Sequence, residues 1–272
     1  MTSVHVTVRE LGTLAELAEA EALFAATWPG QPPASTGLLR AVSHAGGYVS
    51  GARDEDGTLL GAAMGFLAEH HGPALHSHLA AVAPAARARG VGLALKVHQR
   101  DWARSRGLVA VTWTFDPVVR RNAWFNLSKL GASIGAYLPD FYGRMDDGVN
   151  DGGPTDRLLA VWDVVTPAES STARAGKLAV AASAGDVDDP EVATALEERA
   201  GLPVPRAVAA NAGLVAVATP PDVEGLRRSD PALATRWRFA VRDALEPLMA
   251  TGTVAGFTRA GSYLVRRGPD SA

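Results

Sequence analysis

The stretch that decides the fold is Arg87-Ala88-Arg89-Gly90-Val91-Gly92. An apolar run from Leu79 to Val82 precedes it and is typical of a strand, and the run from Leu93 to Ser105 that follows is typical of a helix. The N–H groups at the start of a helix favour an anion, and glycine lets an anion approach the backbone closely. The stretch therefore predicts an anion-binding turn between a strand and a helix.

The charge of the chain is uneven around this turn. The whole chain of 272 residues carries a net charge of −3 at pH 7. Residues 87–106 hold six arginines and lysines against Asp101 alone, a net charge of +5, which leaves −8 for the rest. A local positive field beside such a turn suits a phosphate-bearing ligand, whereas each basic side chain taken alone is more typical of a solvated helix face. The overall balance argues against nucleic acid as a partner.

The composition is that of an ordinary globular protein. Apolar residues make up 47% of the chain and charged residues 20%, so one large domain or two small ones can form without cross-links. The chain has no cysteine, which excludes disulfides, thiolate metal sites and a cysteine nucleophile and fits a reducing compartment. The N-terminus lacks the features of a signal peptide, and no apolar run reaches membrane-spanning length. We therefore expect a cytoplasmic protein with no membrane partner.

Strand-like and helix-like segments alternate along the chain and predict a mixed α/β (α+β) fold. Thr13 and Glu16 form a capping box at the start of the first helix, and Asp230-Pro231 starts a long amphipathic helix near the other end. Residues 166–176 read as a linker. The sequence thus predicts a domain over residues 1–165, a linker over 166–176 and a smaller C-terminal α/β region over 177–272.

Two known phosphate-binding motifs do not fit the turn, since it is neither Gly-x-Gly-x-x-Gly nor followed by Gly-Lys-Ser/Thr. Arg87-x-x-Gly90-x-Gly92, after a strand that ends in Val82-Ala83-Pro84, resembles the acyl-CoA pyrophosphate loop of the GNAT superfamily of N-acetyltransferases. The element order from Val4 to Val165 is similar to that family's order. The resemblance implies the GNAT fold, a mixed and mostly antiparallel sheet flanked by helices. The C-terminal region is interpreted as a divergent half-copy of that fold.

The resemblance also implies a co-substrate, acetyl-CoA or another acyl-CoA. Backbone N–H groups from Ala88 to Leu93 would bind the pyrophosphate, and the strand before them would pair with pantetheine and splay from the strand at 108–113. Two asparagines on a later helix would add polar contacts. The implied cofactor-binding residues are Ala81, Val82, Ala83, Arg87, Ala88, Arg89, Gly90, Val91, Gly92, Leu93, Asn122 and Asn126.

Two histidines precede the turn in the stretch His76-Ser77-His78. A spacing of two on a strand puts both imidazoles on one face. The stretch resembles the arylalkylamine N-acetyltransferase branch, in which two histidines form a base, so His76 and His78 are candidate catalytic residues. The alternatives are two hydrogen-bonded structural histidines, or a metal site that also uses His70 and His71. No third ligand follows at a familiar spacing and no cysteine is available, so we expect no metal.

The acid that protonates the leaving thiolate is not evident from the sequence. Where many members of the family carry a tyrosine, this chain has Leu127. Tyr137 and Tyr142 lie downstream and read either as packing residues or as groups that reach the site. Asp116 is the third candidate catalytic residue, either holding a cationic amine or capping the turn after its strand. Three arginines, Arg120, Arg121 and Arg157, either pair with a substrate carboxylate or are surface charges.

A narrower group within the superfamily, predicted acetyltransferases with an added C-terminal region, is similar to this chain around Trp113-Thr-Phe-Asp-Pro and Phe141-Tyr-Gly. The expected activity is acyl-CoA-dependent N-acyl transfer, with acetyl-CoA as donor, to a small-molecule amine such as an amino acid. The alternative is a catalytically silent acyl-CoA-binding regulatory protein. The C-terminal extension then serves as a regulatory or dimerising surface, and a homodimer stays open.

Overall fold

The computed structural model describes residues 5–29, 33–69, 71–145, 153–165 and 192–268. Its compact parts are two units. The first contains the described residues up to Trp113 together with Asp163–Val165, and the second contains Thr114–Met145, residues 153–162 and the described residues from Val192 onward. The predicted linker over 166–176 lies outside the described residues, so the division into 1–165 and 177–272 stays a prediction.

The first unit is an α/β layer structure around one sheet. Strands β1 to β4 pair antiparallel in chain order, and β4 pairs parallel with β5, whose last two residues belong to the second unit. The strands are β1 Thr7–Glu10, β2 Tyr48–Arg53, β3 Leu59–Ala68, β4 Ala74–Val82 and β5 Ala110–Phe115. The helices are α1 Leu14–Thr27, α2 Thr36–His44 and α3 Val91–Ser105, and a 3-10 turn, Pro84–Ala86, follows β4.

Helices cover both faces of this sheet. The predicted capping box is confirmed, because the Thr13 hydroxyl accepts from the Glu16 N–H while the Glu16 carboxylate accepts from the Thr13 N–H. Helices α1 and α2 share one core with the sheet, which contains Leu17, Phe24, Leu39, Ala62, Met64 and Leu79. The neighbouring Gly61 faces Val91 and Leu95 of α3 instead. Because successive strand residues point to opposite faces, α3 covers the other face.

The second unit contains an antiparallel pair and a five-stranded sheet. The pair is β6 Ser133–Leu138 with β7 Arg157–Asp163, whose last residue belongs to the first unit. Helix α4, Arg120–Ala123, continues directly into a π-helical turn, Trp124–Lys129. The sheet has the order β11-β12-β10-β8-β9, built from β8 Val192–Arg199, β9 Leu202–Pro205, β10 Leu214–Ala218, β11 Gly252–Phe257 and β12 Ser262–Arg267.

The long C-terminal helix is confirmed. Helix α5, Val223–Ser229, is followed by α6, Pro231–Thr251, whose buried side Trp237, Val241 and Leu245 lies at the predicted helical spacing. The Asp230 carboxylate accepts from the Leu233 N–H at 3.0 Å and caps the helix, with Pro231 at its first position.

The C-terminal sheet has a connectivity like that of the predicted half-copy. Strands β8 and β10 are parallel, as β4 and β5 are, and a helix and then an antiparallel pair follow them. The connection from β8 to β10, however, contains β9 rather than a glycine turn and helix. The interpretation as a half-copy stays a prediction.

Candidate active site

Strands β4 and β5 part after three paired residues. The parallel ladder runs from Ala74↔Ala110 to His76↔Thr112, whereas β4 continues to Val82 and stays paired with β3 as far as Gly61↔Val82. Among the strands that the structure describes, β4 therefore has a partner on one side only from Ser77 onward. The splay that the resemblance implies is present, and we call the gap beside residues 77–82 the donor slot.

A bulge lies at the start of the donor slot. Met64 pairs with Leu79 and Gly65 with Ser77, so His78 is the extra residue on β4. The bulge reverses the alternation of side chains along the strand. Ser77 accepts hydrogen bonds from α3, whereas Leu79, two residues further on, packs in the core of α1 and α2. An unbroken strand would turn both residues to the same face.

The edge of the slot differs from the predicted one by a single residue. The Ala83 N–H donates to the Leu60 carbonyl at 2.9 Å, and the Ala83 carbonyl accepts from Ala86 at 2.8 Å, so neither group is available to a ligand. Because antiparallel pairing alternates along a strand, Ala81 also directs its backbone groups towards β3, whereas Ala80 and Val82 direct theirs into the slot. Of the predicted pantetheine-pairing residues Ala81, Val82 and Ala83, this geometry favours Val82, together with its neighbour Ala80, and the pairing itself stays a prediction.

The glycine turn leaves a row of N–H groups without protein partners. Gly90 precedes α3 with φ 91° and offers no side-chain cap, Ala88 has φ 59°, and the first donor inside the helix is Ala94. Within the part of the chain that the structure describes, no N–H from Ala88 to Leu93 donates to a protein acceptor. The turn is exposed from Arg87 to Gly90. Unpartnered N–H groups at a helix start are a site for a phosphate or pyrophosphate.

The arginines of the turn and the glycine inside the helix complete this site. Arg87 and Arg89 are exposed, and neither makes an ion pair or hydrogen bond with another described residue. A Cβ added at Gly92 would meet only the Val82 side chain, at 3.8 Å, so the surface in front of Gly92 is open. The predicted pyrophosphate residues are thus grouped at the end of β4.

His76 and His78 lie together where the slot begins. Their ring centroids are 6.5 Å apart, and Phe66 contacts both rings, at 5.3 and 5.6 Å. The His76 Nδ1 lies 3.0 Å from the Thr112 hydroxyl, which holds that ring against β5. His78 keeps an exposed edge, and partial burial lowers its pKa, so the neutral imidazole that a general base requires predominates at pH 7.

Lys96 lies beside the donor slot and is not among the residues predicted from the sequence. Its side chain is 7% exposed, and its Nζ lies 3.0 Å from the Ser77 hydroxyl and 3.9 Å from the centroid of the Trp113 ring. Gln99 donates to the same Ser77 oxygen at 2.9 Å. Burial lowers the pKa of Lys96 to about 7. The available signal was a lysine on the apolar side of α3 in a chain with three lysines and 23 arginines.

The metal alternative gains no support from the geometry. His70 lies outside the described residues. Among the residues that the structure does describe, no three histidine, aspartate or glutamate side chains are grouped as metal ligands.

In the second unit, Asp116 is committed to protein contacts. Its carboxylate binds Arg227 at 2.5 Å and Arg238 at 2.7 Å, and it accepts from the Val118 N–H at 3.1 Å. Burial alone would raise its pKa, but Arg238 and Arg227 outweigh burial and lower the pKa to about 2. These contacts favour the turn-capping alternative over the holding of a cationic amine.

The two tyrosines are in different environments. The Tyr137 hydroxyl donates to Asp156 at 2.7 Å, and burial together with that carboxylate raises its pKa far above the usual value. Tyr142 is 37% exposed, and its hydroxyl lies 3.1 Å from that of Thr114. Tyr142 is therefore the tyrosine of the pair that a ligand can reach. Leu127, at the position of the family's tyrosine, is buried.

The remaining predicted residues of this unit mostly contact protein. Arg120 donates to the Thr219 carbonyl, Arg121 pairs with Glu224, and the buried Arg157 donates to the Asp156 carbonyl. On the α4 and π-helical segment, Asn126 is buried and Asn122 is partly exposed. Arg120 and Arg157 join segments within this unit, whereas the exposed Arg121 matches the surface-charge alternative.

Residues 15–130, somewhat less than half of the chain, match the Acetyltransferase (GNAT) family, and this match supports an N-acetyltransferase. No curated protein matches the chain significantly.

Several solved structures resemble the chain in fold. Ard1 from Thermoplasma volcanium is 19% identical, with a TM-score of 0.48, over 60% of this chain and 100% of that one. The ribosomal-protein-S18-alanine N-acetyltransferase from Escherichia coli is 16% identical, with a TM-score of 0.48, over 61% and 97%. An N-acetyltransferase from Staphylococcus aureus Mu50 is 13% identical, with a TM-score of 0.48, over 59% and 99%. Among the described helices of this chain, none has the length and apolar character to cross a membrane.

Proposed function

We propose that this chain transfers the acyl group of acetyl-CoA, or of a related acyl-CoA, directly to the amine of a small molecule such as an amino acid. The observation that carries the proposal is a pair of features at the two ends of residues 77–93. The donor slot opens along β4, and the row of unpartnered N–H groups follows β4 at the start of α3. An acyl-CoA has an amide-containing arm that can pair with the edge of β4 and a pyrophosphate that can accept from such N–H groups.

Donor binding uses the backbone. The N–H groups from Ala88 to Leu93 bind the pyrophosphate, and Arg87 and Arg89 add positive charge. Ala80 and Val82 pair with the pantetheine amides as a strand partner would. The acyl-CoA supplies an activated thioester, whose acyl end lies towards Ser77.

The acceptor amine requires a base before it attacks. His78 takes the proton from the ammonium, directly or through a water, and His76 is fixed beside it by Thr112. The amine nitrogen then bonds to the thioester carbonyl carbon and gives up its remaining extra proton to solvent, the C–S bond breaks, and the leaving thiolate takes a proton from solvent. Leu127 cannot supply that proton.

The test is CoA release from acetyl-CoA in the presence of a panel of amino acids, simple amines and short peptides. We expect turnover with at least one small amine and a large loss of kcat in His78→Ala. His44→Ala, an exposed histidine on α2, is the matched control and should behave as the wild type. Turnover with peptides alone would overturn the small-molecule acceptor. Binding of acetyl-CoA without any turnover across the panel would favour the silent binder.

A further inference from the structure

Lys96 lies at the inner end of the donor slot. The β4–β5 ladder ends at His76 and Thr112, so Ser77 and Trp113 are the first residues of the two strands beyond it. The Lys96 amine contacts the side chains of both, at 3.0 Å from the Ser77 oxygen and 3.9 Å from the Trp113 ring centroid. One side chain from α3 therefore spans the two strands where they begin to part.

We propose that Lys96 closes the inner end of the donor slot and restricts the donor to an acetyl group. This inference rests on the proposed function, in which pantetheine runs along β4 from the glycine turn towards Ser77. The acyl group is the leading end of that arm. It arrives where Lys96, Ser77 and Trp113 meet, and a longer acyl chain must displace the lysine to enter.

Lys96, Ser77 and Trp113 form a wall at the inner end of the slot, and the contacts of Lys96 make it hard to displace. The Ser77 oxygen accepts from both Lys96 and Gln99, so the hydroxyl is fixed from two positions on α3. When it is protonated, the amine over the Trp113 ring also gains a cation–π contact. Packed interiors of this kind yield little to an added methylene.

The polar groups around Lys96 also explain why it does not simply rotate away. The groups that face it are Ser77 from β4, Trp113 from β5 and Gln99 from its own helix, and no described carboxylate lies among its contacts. Nζ is buried, so moving it without Ser77 would leave a polar group without a hydrogen bond, at a cost in free energy. Lys96 is thus a specificity-determining residue rather than a catalytic one.

The test compares the kcat/KM of acetyl-, butyryl- and hexanoyl-CoA with one acceptor amine. Lys96→Ala removes four side-chain atoms at the wall, and we expect the butyryl-to-acetyl ratio of kcat/KM to rise tenfold or more, the range that a change of one or two methylenes in a pocket produces. Lys96→Met keeps the length of the side chain and should keep the wild-type ratio. Lys129→Ala is the control at an exposed lysine.

The butyryl-to-acetyl ratio of kcat/KM distinguishes a donor-selecting Lys96 from one that only stabilises the fold. A loss of folded protein lowers the rates with all donors equally and leaves this ratio unchanged. If Lys96→Ala does not fold, Lys96→Val opens a smaller cavity. Its butyryl-to-acetyl ratio should lie between the ratios of Lys96→Met and Lys96→Ala. An unchanged ratio in both variants overturns the inference. Failure of the proposed function is a distinct result, since the wild type would then not turn over acetyl-CoA with any amine, whether or not it binds acetyl-CoA.

Discussion

Replacing Asp116 with Asn tests whether this residue stabilises the second unit or takes part in the chemistry. Asn keeps an oxygen for the Val118 N–H but removes the charge that Arg227 and Arg238 share. Breaking a buried ion pair by removing one partner costs about 3–5 kcal/mol, because the other charge stays buried. We expect a loss of that size in the free energy of unfolding, measured by urea denaturation at pH 7.

The same carboxylate predicts how stability depends on pH. Its pKa is lowered on folding from 3.8 to about 2, so the folded state favours the charged form. The resulting contribution, on the order of 2 kcal/mol, is present above pH 4 and is lost as the pH falls from 4 towards 2. The difference in unfolding free energy between wild type and Asp116→Asn should therefore shrink over that range.

Two controls make the outcome specific. Asp243→Asn changes an exposed carboxylate on α6 and should leave stability within about 0.5 kcal/mol of the wild type. Adding Arg238→Met to Asp116→Asn removes an unpaired charge, so the double variant should recover part of the loss. If Asp116→Asn abolishes acyl transfer while its unfolding curve matches the wild type, Asp116 acts in the chemistry and our assignment of it is wrong.

Three further predictions concern the first unit. Gly90→Ala should lower the free energy of unfolding by about 1–2 kcal/mol in urea denaturation, because φ is 91° there while an added Cβ meets no atom within 4 Å; an unchanged curve would show that the left-handed conformation is not needed. Lys96→Met should raise the unfolding free energy more at pH 6 than at pH 9, since burial lowers the pKa of this lysine to about 7 and its protonated form is the costly one; a gain that grows with pH would contradict this. The pH profile of kcat/KM should rise through a pKa below 6.5 that disappears in His78→Ala, as burial lowers the pKa of His78; an identical acidic limb in the variant would remove His78 as the base.

Local signals accounted for much of the fold. Thr13 with Glu16 and Asp230 with Pro231 start helices through contacts a few residues apart, and the structure has both caps. The helical segment that begins at Arg120 is π-helical in its second part, with the Leu130 N–H bonded to the Phe125 carbonyl, and no local signal in the sequence indicates that change. Strands β8 and β9 were not predicted, because a mixed polar and apolar segment such as Val192–Arg199 carries no clear period of two.

In the site, too, features formed by neighbouring residues could be predicted, whereas those that depend on distant residues could not. The glycine turn is contiguous in sequence, so its residues could be named before the structure was known. The bulge at His78 shifts which backbone groups face the slot, and it depends on how β3 pairs with β4. The partners of Asp116 lie 111 and 122 residues away, and no local pattern points to them.

The most direct test of the donor site is a calorimetric titration of acetyl-CoA into the wild type and Gly92→Ala. An alanine here has no close protein neighbour except Val82 at 3.8 Å, and it suits a helix better than glycine, so the unfolding free energy should not fall. Its Cβ stands where the pyrophosphate approaches the N–H groups, so we predict a Kd at least tenfold higher, about 1.4 kcal/mol. Equal affinity in the two proteins would contradict the claim that this turn holds the pyrophosphate of an acyl-CoA.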